Sequence, residues 1–122
     1  MKRELQIATL PVVALRGLVI FPKMMLHFDI GRKKSAAALN AAMEGEREIF
    51  LVAQKDLQED DPKQSDLYAC GVVASVRQVL RLPGTDNIRV VVEGRYRAGL
   101  MELTQDDPFL CGIVREKRTV RA

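Results

Sequence analysis

The side chains able to do covalent or acid/base chemistry in this chain are few, and they do not gather at diagnostic spacings. His27 is the single histidine, and Cys70 and Cys111 are the only thiols. A histidine beside a cysteine can act as a nucleophilic dyad, the imidazole taking the thiol proton, but nothing in the spacing supports such a pair. A zinc site needs several Cys or His ligands at short intervals, which these three residues do not supply. Asp60-Asp61 and Asp106-Asp107 are adjacent carboxylates, yet each pair precedes a proline in polar surroundings, the composition of a turn rather than of an acid/base site. The patterns G-x-x-x-x-G-K-[ST], G-x-G-x-x-G, H-E-x-x-H and G-x-S-x-G do not occur. The sequence therefore predicts a binding module with no catalytic, cofactor-binding or metal-ligating residues of its own.

Two stretches carry the binding expectation. In Phe21-Pro22-Lys23-Met24-Met25, methionine is unbranched and polarisable, so it adapts to apolar partners of varied shape. Phe21 is expected in the core, whereas Met24 and Met25 suit packing and partner contact equally. The second stretch is Arg32, Lys33 and Lys34, placed where a helix begins. Cations there oppose the helix dipole by a few tenths to about 1 kcal/mol. They are either solvated and screened or a dock for an acidic partner or anion. The candidate contact residues are thus Phe21, Pro22, Met24, Met25, Arg32, Lys33 and Lys34.

The elements that position these residues follow from periodicity. From residue 24 to 30 the chain alternates, with Leu26, Phe28 and Ile30 on one side and Met25, His27 and Asp29 on the other, which predicts a half-buried strand. The alanine-rich residues 35–43 predict the one convincing helix, with Gly45 as its stop. Val12-Val13-Ala14-Leu15 and Ile49-Phe50-Leu51-Val52-Ala53 are short apolar runs, and the second reads as a well-buried strand. Residues 55–66 read as polar loop. Residues 71–82 alternate, with Val72, Ala74, Val76, Gln78 and Leu80 facing one way and Val73, Ser75, Arg77, Val79 and Arg81 the other. They form a long hairpin with residues 88–103 across the turn at residues 83–87. Gly94 and Gly99 within the returning arm predict a bulge or bend where the sheet curls, and residues 109–115 form a last strand. Cys70-Gly71-Val72-Val73 echoes Cys111-Gly112-Ile113-Val114, too briefly to define a repeat. The expected fold is mostly β (α+β): about six strands curled into a barrel with one helix.

Composition bounds the class. With 122 residues, 48% hydrophobic and 29% charged, the chain suits one globular domain. The apolar run 18–28 is cut by Pro22 and Lys23, and Arg16 and Asp29 bound it, well short of the roughly 18 residues a bilayer span requires. The N-terminus, with Glu4 and Gln6 where an apolar signal region would begin, does not resemble a secretory leader. A cytoplasmic protein with reduced thiols is expected. The net charge of +3 is too small to imply nucleic acid by itself.

The order of blocks points to a family. Leu10-Pro11-Val12-Val13-Ala14-Leu15-Arg16-Gly17-Leu18-Val19-Ile20-Phe21-Pro22-Lys23-Met24 resembles the opening of the N-terminal, substrate-recognition domain of the Lon family of ATP-dependent serine proteases. Gly31 to Ser35, Leu51-Val52-Ala53-Gln54-Lys55-Asp56, Asp66-Leu67-Tyr68 with Gly71-Val72-Val73-Ala74, and Leu80-Arg81-Leu82-Pro83-Gly84 before Val90-Val91-Val92-Glu93-Gly94 and Arg97-Ala98 follow in the family's order. The likeness covers residues 10–104. It departs at Gly17, where Asp is frequent, and at Lys23, where a small residue or His is common. The resemblance implies a six-stranded PUA-like pseudo-barrel, residues 1–122 being the first, β-barrel part of that domain in a longer chain. It further implies a cytosolic, ring-forming (hexameric) protease acting on misfolded, damaged and short-lived regulatory proteins. ATP, Mg and the Ser-Lys cleavage site would then belong to downstream domains, and the partners would be unfolded proteins and other copies of the chain. Two alternatives remain open: a PUA-like RNA-binding domain, for which Tyr96 between Arg95 and Arg97 is the sole interleaved aromatic, and a free-standing protein-binding domain of the same type.

Overall fold

Apolar runs bounded by turn residues become strands in the computed structural model, which describes residues 7–15, 23–31, 33–55, 67–81, 83–84, 87–105 and 109–116, the side chains of Lys33 and Lys34 excepted. The elements are β1 (Ile7–Leu15), β2 (Met25–Ile30), α1 (Lys33–Glu44), β3 (Glu48–Ala53), β4 (Cys70–Arg81), β5 (Ile88–Gln105) and β6 (Cys111–Glu116). They form one six-stranded sheet in the order β2-β5-β4-β3-β1-β6, and β6 also pairs with β5. That extra pairing closes β5, β4, β3, β1 and β6 into a ring. The expected pseudo-barrel is therefore present, with five strands in the ring and β2 alongside it.

The length of β5 makes this closure possible. Its first part, Ile88 to Glu93, pairs with β2 in unbroken register and with β4 on its other edge. Farther on, Ala98 pairs with Gly71 of β4 and Glu116 of β6, and the pairing with β6 continues to Gln105. The turn that returns the chain from β4 contains Gly84 at φ 76°, a left-handed conformation that glycine adopts without steric cost.

Side chains divide between two cores. The first contains Val13, Leu15, Ile49, Leu51, Ala74, Val76, Val90 and Val92, the helix residues Ala38, Leu39 and Ala42, and Ile30 of β2. The second contains Val12, Ala14, Phe50, Val52, Val73, Ala98 and Val114, so every ring strand contributes to it. β1 and β3, paired in parallel, send alternate residues to each core, which is why both read as continuous apolar runs. α1 packs on β1 and β3 with Ala38, Leu39 and Ala42 on its buried face. Its first turn has no acid and its last turn no base, so apolar packing, not its dipole, holds it in place. The helix ends at Glu44, one residue before Gly45. The left-handed residue beyond it is Arg47, at φ 62°, whose N–H donates to the carbonyl of Ala42 at 2.9 Å.

Bulges overturn the simple alternation expected of β4. Val76 pairs with Val92 and Gln78 with Val91, so Arg77 is an extra residue. After one extra residue the faces exchange. Val79, not Leu80, joins Val76 in the first core, and Leu80 is 43% exposed. In β5 the extra residue is Arg95, since Val73 pairs with Tyr96 and Ala74 with Gly94. Even-numbered residues therefore serve the first core up to Val92 and the second from Tyr96 to Leu100. Met101, a further extra residue opposite β6, is expelled to 53% exposure. The bend anticipated at Gly94 is thus found next to it.

The Cys-Gly echo also has a physical basis. A Cβ on Gly71 would lie 2.3 Å from the carbonyl oxygen of Leu51, and one on Gly112 would lie 3.0 Å from that of Glu102. Each glycine lets a neighbouring strand approach where a side chain would obstruct it. On β2 the inward residues Leu26, Phe28 and Ile30 pack on the first core, as the alternation predicts. On its outer face Arg89 Nε donates to Asp29 Oδ1 at 2.9 Å, linking β2 to β5. This hydrogen bond, aided by the positive charge, holds the Asp29 carboxyl below the usual carboxylate range.

Three outcomes test this description. Phe50→Ala, at a fully buried site, is expected to cost about 3–5 kcal/mol in urea unfolding. Val79→Ala should cost about 1–2 kcal/mol, while Leu80→Ser stays within about 0.5 kcal/mol; the reverse order would remove the bulge at Arg77. In an NMR titration, Arg89→Gln should raise the midpoint of Asp29. Because the folded-state value is depressed, the pair contributes stability above the ordinary carboxylate pKa. That contribution is lost as the pH falls through the depressed value, and an unmoved midpoint would show that the pair does not form in solution.

Candidate protein-contact surface

Of the residues singled out from the sequence, Met24 and Met25 fall within the described structure, 38% and 56% exposed. Phe21, Pro22 and Arg32 lie outside the described residues, and Lys33 and Lys34 are placed only by their backbone at the start of α1. Met24 and Met25 are held against β5. The N–H of Lys23 donates to the carbonyl of Gly94 at 2.7 Å, and the N–H of Gly94 donates to the carbonyl of Met24 at 2.9 Å. Met25 then pairs with Glu93. The adaptable side chains at this corner are thus presented by a firmly bonded backbone.

Residues that sequence reasoning did not select surround them. Lys23 and Arg47 are the two described non-glycine residues with positive φ, at 67° and 62°, a conformation costing on the order of 1 kcal/mol for a side-chain-bearing residue. Each is tied to a bulge: Lys23 to Gly94, beside the extra residue Arg95, and Arg47 through its carbonyl, which accepts from the N–H of Val76, beside the extra residue Arg77. Arg95 of β5 pairs with Glu48 of β3, across β4, and Arg77 Nε donates to Glu93 Oε1 at 3.1 Å. The surface around Met24 and Met25 therefore combines apolar side chains with four cations and the carboxylates Glu48 and Glu93. No periodic pattern in the sequence brings Arg47, Arg77 and Arg95 together; the bulges do.

Among the described residues, neither thiol stands beside the histidine. His27 lies opposite Val91 on β5, whereas Cys70 lies opposite Gly99, eight positions farther along the strand. Cys111 pairs beyond that, with Gln105. Cys70 is exposed and Cys111 half-buried, and neither is in a disulfide, so Cys70 is no core residue. Among the described residues, no three of His, Cys, Asp and Glu converge as a metal site. Tyr96, the aromatic between Arg95 and Arg97, packs on the second core rather than offering an open stacking face. A second group of exposed apolar residues, Ile7, Tyr68 and Met101, lies toward the other end of β5.

Residues 9–120 match the family model described as the ATP-dependent protease La (LON) substrate-binding domain. The chain is 45% identical over 109 residues to a Lon protease of Syntrophomonas wolfei, an alignment covering 89% of this chain and 13% of that protein. It is likewise 45% identical over 101 residues to a Lon protease of Clostridium acetobutylicum, covering 83% of this chain and 13% of that protein. The chain thus spans about one eighth of the length of these relatives. The fold matches the N-terminal domain of a Mycobacterium avium complex Lon protease with a TM-score of 0.74 at 20% identity, covering 94% of this chain and 57% of that one. A Lon N-terminal domain protein from Xanthomonas campestris matches with a TM-score of 0.61 at 11% identity, covering 90% of this chain and 57% of that one. The 45% identity, the family match over nearly the whole chain and the ring with its outlying β2 together lead to one assignment: the chain belongs to the Lon substrate-binding domain family.

Proposed function

We propose that this chain recognises unfolded or misfolded polypeptides on behalf of an ATP-dependent serine protease, and that the corner carrying Met24 and Met25 makes the contact. The observation that supports this most directly is the exposure of both methionines on a backbone fixed to Gly94. Flexible thioether side chains accept varied apolar residues, and a fixed backbone limits the ordering cost of binding. The rim beside the methionines is of mixed polarity, since Arg77 and Arg95 are paired there with Glu93 and Glu48. Phe21, Pro22, Arg32, Lys33 and Lys34 remain candidate contact residues on sequence grounds alone.

In this reading the whole protein is a cytoplasmic ring, ATP and Mg act in other domains, and each copy of this domain binds weakly. Repetition around the ring then supplies avidity, because a segment released by one copy is rebound by the next at high effective concentration. The exposed group of Ile7, Tyr68 and Met101 is a second apolar area that self-association would cover. An RNA-binding role is less well supported, because Tyr96 packs inward and Arg95 is paired with Glu48.

The direct test compares capture of one model protein in its chemically unfolded and native forms. Preferential capture of the unfolded form is expected. The double substitution Met24→Ser with Met25→Ser should weaken that capture about tenfold or more, from the apolar area the methionines would bury, without moving the thermal midpoint. Equal capture of both forms would sink the recognition role, and undiminished binding by the double variant would move the site elsewhere.

A further inference from the structure

Every strand of the ring has partners on both sides, whereas among the described residues β2 is paired on one side only, with β5. An open strand edge is normally protected by proline, lysine, a bulge or a covering element, because its unpaired main-chain groups invite another strand. β2, Met25-Leu26-His27-Phe28-Asp29-Ile30, has no proline and no lysine, and its six-residue register with β5 is unbroken. Its one charged side chain, Asp29, is drawn to Arg89 on the β5 side. In an antiparallel ladder every second residue turns both its N–H and its C=O away from the partner. About half of β2 therefore directs donors and acceptors outward.

We propose that this edge takes up an extended segment of an unfolded polypeptide as an added strand, its main chain pairing with residues 25–30. The inference rests on the reading of the chain as a recognition domain and specifies how recognition works. Main-chain groups are the same in every sequence, so pairing through them tolerates varied substrates. A folded protein has already paired its own, so the same contact discriminates unfolded from folded. The edge is continuous with the corner described above: Met24 stands at its start and Met25 is its first residue. Alternate side chains of the added strand would lie on the outer face beside Met25 and His27, in the manner of other strand-addition sites. The methionines would then grade affinity by side chain, while the edge supplies the common part of the binding.

The test uses the 122-residue chain and two versions of one unstructured peptide rich in Val, Thr and Leu, the second N-methylated at its central amides. N-methylation keeps the side chains but removes main-chain donors. Fluorescence anisotropy should show the methylated peptide binding at least about tenfold more weakly, and the unmethylated peptide should slow hydrogen exchange at amides of residues 25–30. Equal binding of the two peptides would overturn the edge and leave side-chain recognition standing, whereas failure of both peptides and of unfolded protein to bind would end both readings. Slow exchange across all of β2 before peptide is added, with no change on adding it, would also overturn the proposal. In that case the edge is already covered, by the chain's own residues if exchange is independent of concentration and by a second copy if it is not.

Discussion

The main-chain pairing of β5 is the constraint from which the rest of the architecture follows. Eighteen residues must satisfy β4 along one edge and, on the other, β2 and then β6. A regular strand of that length would keep each parity of side chain on one face throughout. The extra residue Arg95 lets the same strand supply the first core with Val90 and Val92 and the second with Tyr96 and Ala98. The sheet can then curl and close, leaving β2 as the strand with a single described neighbour.

Closure has an energetic partner in the parallel pair β1 and β3. Their residues are buried on both faces, Val12, Val13, Phe50 and Leu51 at 2% exposure or less. Each buried aliphatic or aromatic side chain contributes roughly 1.5–3 kcal/mol of transfer free energy. α1 covers one face with small residues, Ala38 and Ala42, that allow its backbone to sit close to the sheet. Gly71 does the same for the β3–β4 seam, where even a methyl group would meet the Leu51 carbonyl. The interior is specified by close approach as much as by apolar character.

The irregularities that close the ring also shape its surface. Bulges expel Leu80 and Met101 and place Arg77 and Arg95 outward, where Glu93 and Glu48 meet them. Left-handed Lys23 and Arg47 bring their loops onto those bulges. Strained backbone is maintained where surrounding structure over-determines it, and here main-chain hydrogen bonds to Gly94 and Val76 do so. The contact surface is thus a by-product of how the sheet bends, which explains why no linear motif encodes it.

Much of the fold was legible in the sequence. Alternation from Met25 to Ile30, the alanine stretch of α1, the Pro83-Gly84 turn and the apolar run 49–53 each yielded the element found, because burial on one face, or on both, leaves its period in the residue types. Of the candidate surface, Met24 and Met25 were legible through side-chain chemistry, whereas Arg47, Arg77 and Arg95 were not, being neighbours only after folding. The facing of Val79 and Leu80 was misread because one inserted residue exchanges the faces of everything beyond it, and a bulge has no signature of its own at Arg77. The sequence by itself determined most of the strands, the helix and the family that the blocks resemble, whereas β1 extends back to Ile7, beyond the apolar run at residues 12–15. Tertiary structure alone decided which strand remains at the edge and which charges surround it, since hydrogen-bond partners across a sheet depend on register and closure rather than on any local run of residues.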